Sequence, residues 1–304
     1  MNNSHLKNIW NGPKPGVDPR PLIYLSGILG GGNTEEALRA NPEVVKYQCV
    51  SYFYLASSPA SEKETKYRNW FSLFQKFGTR AFLDSGAFSY QIQGIKKNQP
   101  LDQKRAAVII DQYVDWVFAC PFIFDFIVTF DYKRDSRVTD WATERIEKRG
   151  LHPVPAFHSG TSLDELRKLI DRGYDLIGVG GLIPYRASKI DPFLDHVFNL
   201  AAKYNVRLHG FGLGGPLIFK YPWFSVDTSA WSYVAKVGKV FRKSTDPRKF
   251  AEVVTISPRS AVSVLAEDAD TGQRFVENWK YYNTIMETRC TPGRNSVTTR
   301  KTLF

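Results

Sequence analysis

Eight short apolar runs, each ending in a small or polar residue, constrain the fold of this chain more than any other feature. They are Leu22–Ser26, Val50–Ala56, Ala81–Asp84, Phe126–Asp131, Val154–His158, Leu176–Gly180, Arg207–Gly212 and Phe224–Asp227. Most lack strict apolar–polar alternation, which suits parallel strands buried on both faces. Between them the pattern turns amphipathic at helical spacing, and Gln103–Phe118, Thr139–Lys148, Leu163–Arg172 and Phe193–Tyr204 read as helices. Ser162-Leu163-Asp164-Glu165 has the capping-box pattern, and Gly173 stands where a helix-terminating glycine belongs.

Strands alternating with helices predict an α/β fold. We read it as a single (β/α)8 TIM barrel, with an open doubly wound sheet as the competing architecture. The barrel is preferred because polar residues fall repeatedly at the C-terminal ends of the runs, where barrel sites are built. A length of 304 residues suits one such barrel. The connection from Asp84 to Phe126 is long and predicts an insertion after strand 3, around Tyr90–Asp102. Gly212 to Phe224 leaves room for little more than a helical turn, and Ser232–Arg242 is expected as the last barrel helix. Residues 1–20 then form an N-terminal arm, 21–243 the barrel, and 244–304 a basic C-terminal extension and tail carrying the helix Phe275–Thr288.

The formal net charge is +11, which points to a polyanionic partner. From Ala235 to Phe304, 13 Lys and Arg face 7 Asp and Glu. Cys49, Cys120 and Cys290 form no CxxC, which argues against a disulfide framework or a cysteine-rich zinc knuckle and fits a reducing cytoplasm. Met1–Arg20 has no apolar core of a secretory signal, and no stretch approaches the roughly 20 apolar residues of a membrane helix. The expectation is a cytoplasmic protein that does not enter membranes.

The run ends collect chemistry. In strand order they offer Asp84, Asp131, His158, Gly180-Gly181-Leu182, His209-Gly210-Phe211-Gly212 and Asp227. Three carboxylates and two histidines around one mouth could bind a metal, but no HxH or HExxH spacing supports that, and neither metal nor cofactor is expected. Gly178-Val179-Gly180-Gly181 lacks the full dinucleotide fingerprint, and Pro184 interrupts any helix after it. Two aspartates at the ends of two strands can divide a glycosyl transfer, one attacking carbon and one moving a proton.

The set resembles one family. Phe82-Leu83-Asp84-Ser85-Gly86-Ala87-Phe88-Ser89 is similar to the Asp-Ser-Gly-Gly-Phe-Gln motif of the tRNA-guanine transglycosylases. Gly180-Gly181-Leu182 resembles that family's base-binding loop, His209-Gly210-Phe211-Gly212 its strand-7 Gly-x-Gly segment, and Ser225-Val226-Asp227 its nucleophile strand. Phe130-Asp131 stands at the position of its guanine-reading aspartate. The likeness spans roughly residues 20–240. The family's CxCxxC zinc site is absent, and His158 replaces a base-contacting glutamine. Both departures resemble the DpdA-type branch of phages and bacteria, which exchanges guanine in DNA for a 7-deazaguanine such as preQ0.

The resemblance implies a barrel without a zinc subdomain and a double displacement at C1′. Asp227 would be the nucleophile and Asp84 the proton carrier. Asp131 would accept from the N1–H and 2-amino groups of the base. Ser85, Gly86, Gly180, Gly181, Leu182, His158, His209 and Gly210 would complete the base site, with Phe88 or Tyr185 able to stack. Lys133, Arg134, Arg137, Arg186 and Lys189, with the basic C-terminal region, would hold duplex DNA around a flipped guanine, and an accessory protein could assist. Three alternatives remain open: the same exchange on tRNA or other RNA, a hydrolase in which water resolves the intermediate, and a nucleic-acid-binding barrel without catalysis.

Overall fold

The structure is a computed structural model, and it describes residues 21–30, 33–57, 60–132, 135–182, 187–245, 251–256 and 269–288. Seven strands build one parallel sheet: β1 (Leu22–Ser26), β2 (Tyr47–Ser51), β3 (Arg80–Asp84), β4 (Ala156–His158), β5 (Leu176–Gly180), β6 (Arg207–Gly210) and β7 (Ser225–Thr228). Their order is β3-β2-β1-β7-β6-β5-β4. The helices between them are α1 (Asn33–Ala40), α2 (Tyr52–Ser57), α3 (Ala60–Phe77), α4 (Ala87–Lys96), α5 (Gln103–Ala119), α6 (Ser136–Lys148), α7 (Leu163–Asp171), α8 (Ala187–Lys203), α9 (Leu217–Lys220) and α10 (Ala230–Lys236). A two-stranded antiparallel ribbon, β8 (Lys239–Arg242) with β9 (Glu252–Thr255), and the long helix α11 (Ala269–Thr288) follow.

The sheet is curled and buries both faces, so it has two apolar layers. Ile23, Leu25, Val50, Leu83, Ile177, Val179, Leu208 and Val226 point outward and pack on the helices. Tyr24, Cys49, Phe82, Phe126, Val128, Val154 and Leu176 pack against one another on the concave side. The strands therefore read as continuous apolar runs in the sequence because neither set faces water.

Seven of the eight expected strands are present, and the eighth is not a strand. The run Phe126–Asp131 makes only isolated parallel bridges, Leu83↔Ile127 and Val128↔Val154. It keeps backbone bonds to both neighbours, from Leu83 N–H to Phe126 O at 3.0 Å and from Val154 N–H to Ile127 O at 2.8 Å, while Tyr113 Oη donates to Val128 O at 3.1 Å and Ser85 Oγ donates to Thr129 O at 2.8 Å. The sheet of named strands is accordingly open between β3 and β4. The second strand lies earlier than expected, ending at Ser51, and Tyr52–Ser57 is the helix α2. A short apolar run does not distinguish a strand from a buried helical turn. Ser232–Arg242 is not one helix either. α10 stops at Lys236, Gly238 takes φ +73°, and Val240 and Phe241 then enter β8. The insertion expected at Tyr90–Asp102 is mostly the helix α4, followed directly by α5.

α7 starts and stops where expected, with Ser162 Oγ accepting from the Asp164 N–H and Gly173 closing it at φ +89°, but without the reciprocal capping box, since the Glu165 carboxylate takes Lys168 at 2.7 Å. Only the four-residue α9 fits between β6 and β7. Among the described residues no helix is long and apolar enough to cross a membrane.

Helix α11 is anchored by Arg274, which donates to Ala235 O at 2.8 Å, by Asn283, which donates to Val44 O at 2.6 Å, and by the Asn278 amide, which bonds twice. Asn278 Oδ1 accepts from Phe241 N–H at 2.8 Å, and its Nδ2 donates to Trp231 O at 2.9 Å, both fully buried. Asn278→Ala strands a buried donor and a buried acceptor at once. It should cost about 2 kcal/mol or more of unfolding free energy, read from a urea titration.

Candidate active site

Parallel pairing puts the C-terminal ends of the strands around one cavity of about 500 Å³. Asp227 stands opposite Tyr24 in the β1–β7 register, and Asp84 opposite Ser51 in the β2–β3 register. Side chains alternate across a strand, so Ser225 and Asp227 share the concave face, as do Phe82 and Asp84. Asp84, Asp131, His158 and Asp227 all line the cavity, together with Ser85, Gly180, Gly181, Leu182, Phe88 and Gly212.

Asp227 is held from two sides. Ser26 Oγ donates to its Oδ2 at 2.5 Å, and the Gly212 N–H donates to its Oδ1 at 2.8 Å. His209 lies behind it, fully buried, with Nε2 at 3.5 Å from Asp227 Oδ1 and Nδ1 at 2.8 Å from Ser225 Oγ. Edge-to-face contacts with Phe82, Phe126 and Phe211 at 4.9–5.3 Å cage that imidazole. His209 thus lies beneath Asp227 and is not among the residues that line the cavity. Gly210 does not line the cavity either. It faces outward, and a side chain there would press on Leu213 and Trp223.

Asp84 accepts from Ser51 Oγ at 3.1 Å and from the Gly86 N–H at 2.9 Å. Gly86 takes φ +75°, and a Cβ on it would lie 2.5 Å from the Phe53 Cβ, so glycine is required twice over. Burial, then the nearby charge of Asp227, pushes the Asp84 carboxyl up to about 6, against the pull of the Ser51 and Gly86 hydrogen bonds. Two strand-end carboxylates with different surroundings thus share one cavity. Between them the Cys49 thiol is raised well above its ordinary value, by burial first and then by Asp227 and Asp84, so it stays protonated.

On the segment that bridges to the Asp84 strand, Asp131 Oδ2 is in close hydrogen-bonded contact with His158 Nε2, while Thr139 Oγ1 donates to Asp131 Oδ1 at 2.8 Å. Both oxygens of the expected base reader have partners, and each keeps a second lone pair for a ligand. Gly180 makes room for His158, whose ring atoms would lie 2.8 Å from a Cβ there. Gly181, at φ +72°, has its carbonyl bound by Ser159 Oγ at 2.5 Å. Ser85 turns away from the cavity centre to bind Thr129 O. Among the described residues no group of three or more His, Cys, Asp or Glu could hold a metal ion.

Of the expected DNA-holding residues, Arg137 is exposed and paired with Asp135 at 3.1 Å. Lys133, Arg134, Arg186, Tyr185 and the Lys189 side chain lie outside the described residues. Ser26, Ser51 and Thr139, which orient the three carboxylates, were not singled out by the sequence reading. Ser26 and Ser51 each end a strand beside an aspartate strand, a signal available once the pairing is known. No family model matches the chain, and no curated protein matches it in sequence.

The Asp84 carboxyl keeps its proton to about pH 6, whereas the unfolded chain releases it near 4. Between those values the folded state binds the extra proton, so stability falls as pH rises through this window and levels off above it. Asp84→Asn should abolish that fall and raise stability at neutral pH by about 2 kcal/mol. Thermal melts of both proteins from pH 4 to pH 8 measure it.

Proposed function

We propose that this chain is a transglycosylase that exchanges guanine in DNA for a 7-deazaguanine base such as preQ0. The observation that carries the reading is the unequal pair of carboxylates in one cavity. Asp227 is fixed by Ser26 and Gly212, and Asp84 keeps its proton up to about pH 6. In the first step an Asp227 oxygen bonds to C1′ as the bond from C1′ to guanine N9 breaks. The electron pair leaves with the base, and the Asp84 proton neutralises it. In the second step Asp84 takes the N9 proton of the incoming base, N9 bonds to C1′, and the Asp227 ester releases its electron pair back to the carboxylate. Two inversions retain the configuration at C1′, and no water or cofactor enters the balance.

Asp131 and His158, which line the same cavity, suit recognition of the base: a carboxylate accepts from N–H donors, and an imidazole N–H can donate to O6. The curled sheet is read as a TIM-like barrel whose eighth stave is the irregular segment around Ile127 and Val128. The bridges on both sides of that segment support this. The net charge of +11 favours a nucleic acid over a free nucleoside as substrate.

Nucleoside mass spectrometry of plasmid DNA decides the matter, using cells that make preQ0 and express the protein or its Asp227→Ala variant. The expected result is a 7-deazaguanine deoxynucleoside with the intact protein alone. Modified RNA with clean DNA would move the substrate to RNA, and abasic sites without exchange would make the protein a hydrolase. With purified protein, kcat/KM for guanine release should fall as pH rises through about 6, because the first step needs protonated Asp84. Asp84→Asn should be nearly inactive at every pH.

A further inference from the structure

Helix α4 carries an apolar stripe that stands exposed among the described residues. Phe88, Ile92 and Ile95 are spaced i, i+4, i+7, which puts them on one helix face. Their exposures are 67%, 37% and 62%. The opposite face anchors the helix. Ala87 and Gly94 are buried there, and the Tyr90 ring meets Phe53 at 4.8 Å and Phe130 at 6.0 Å. The first turn is tied to the candidate site as well, because Gly86 caps the helix and its N–H binds Asp84. The stripe runs into the cavity, since Phe88, Ser89 and Gln91 line its wall. From Ser85 to Leu101 the sequence has no acidic residue and carries Lys96 and Lys97, both exposed.

We propose that this face of α4 is a wedge for duplex DNA, filling the gap left when a nucleotide swings into the cavity. The inference rests on the transglycosylase reading above and adds the surface that opens the duplex. A base inside a stacked duplex is out of reach of Asp227 and has to be extruded. Extrusion costs stacking energy, and proteins that unstack a duplex recover it by inserting apolar side chains between base steps. Phe88 is placed for this at the cavity rim, where the hole in the stack must lie if its base is inside. Ile92 and Ile95 continue the apolar contact along the bases, and Lys96 and Lys97 meet the phosphates. An acid-free, lysine-flanked apolar face suits a polyanion with exposed base faces better than a second copy of this cationic chain.

The test uses fluorescence anisotropy with two duplexes of one sequence, one fully paired and one with a single abasic gap opposite cytosine. The intact protein should bind the gapped duplex at least about tenfold more tightly. Phe88→Ala and Ile95→Ser, both at exposed positions and checked by thermal melts, should bring that ratio close to one. Equal binding of the two duplexes by the intact protein, or a preference that survives both substitutions, overturns the wedge. So does a dimer by light scattering that either substitution dissociates, because the stripe would then be a contact between copies of this chain. Base exchange by the intact protein is scored separately. Exchange without a gap preference condemns the wedge alone, whereas a gap preference without exchange condemns only the transglycosylase reading.

Discussion

The pairing of β1 with β7 is the constraint on which the rest depends. These strands stand side by side at the centre of the order β3-β2-β1-β7-β6-β5-β4 and join its two halves. The register Tyr24↔Asp227 carries Ser26 up to the Asp227 carboxylate. It also brings Trp231 Nε1 to donate to Ser26 O at 3.1 Å, so the rim is fixed from both sides of this seam. One half contributes Asp84, the other Asp227 and His158. A slip of one residue between β1 and β7 would turn Asp227 from the concave face toward the helices.

Below the carboxylates the concave layer is aromatic, and this matters electrostatically. Phe82 and Phe126 stack at 4.7 Å with planes 9° apart, and with Tyr24 they enclose His209. Water is excluded from beneath the cavity floor, so charges at the floor are poorly screened and interact strongly. That is why Asp84 feels both its own burial and Asp227, and why the few donors near them, Ser26, Ser51 and the Gly86 and Gly212 amides, have such leverage. Further toward the N-terminal ends of the strands, Asp125 takes hydrogen bonds from Arg80 and Tyr24 and closes the layer with a satisfied polar cluster.

Much of this was legible in the sequence, for a simple reason. Asp84, Asp131, His158 and Asp227 end apolar runs, and parallel strands deliver their C-terminal ends to one side, so gathering them needed no knowledge of packing. What could not be read was which side of a strand a residue takes when flanking residues are all apolar or glycine. His209 and Gly210 are adjacent, yet one underlies Asp227 and the other faces the helices. Register was hidden as well: with β2 expected too late in the chain, Ser51 fell near the start of its run, far from the Asp84 end, and its bond to Asp84 could not be anticipated. Nor could the pattern show that the Val128 and Thr129 carbonyls are bound by Tyr113 and Ser85, side chains distant in sequence.

The seam has a consequence for how the molecule comes into being. Ser26 and Asp227 are separated by 201 positions, so the bond between them closes a loop spanning most of the chain. Contacts this remote form late, after local helices and neighbouring strands have paid their own ordering entropy. A chain emerging from the ribosome can assemble β1, β2 and β3 early, with Asp84 already in position. It has no partner carboxylate until residue 227 has emerged and β7 has docked. A prematurely terminated chain therefore carries one half of the carboxylate pair and none of the chemistry proposed for it.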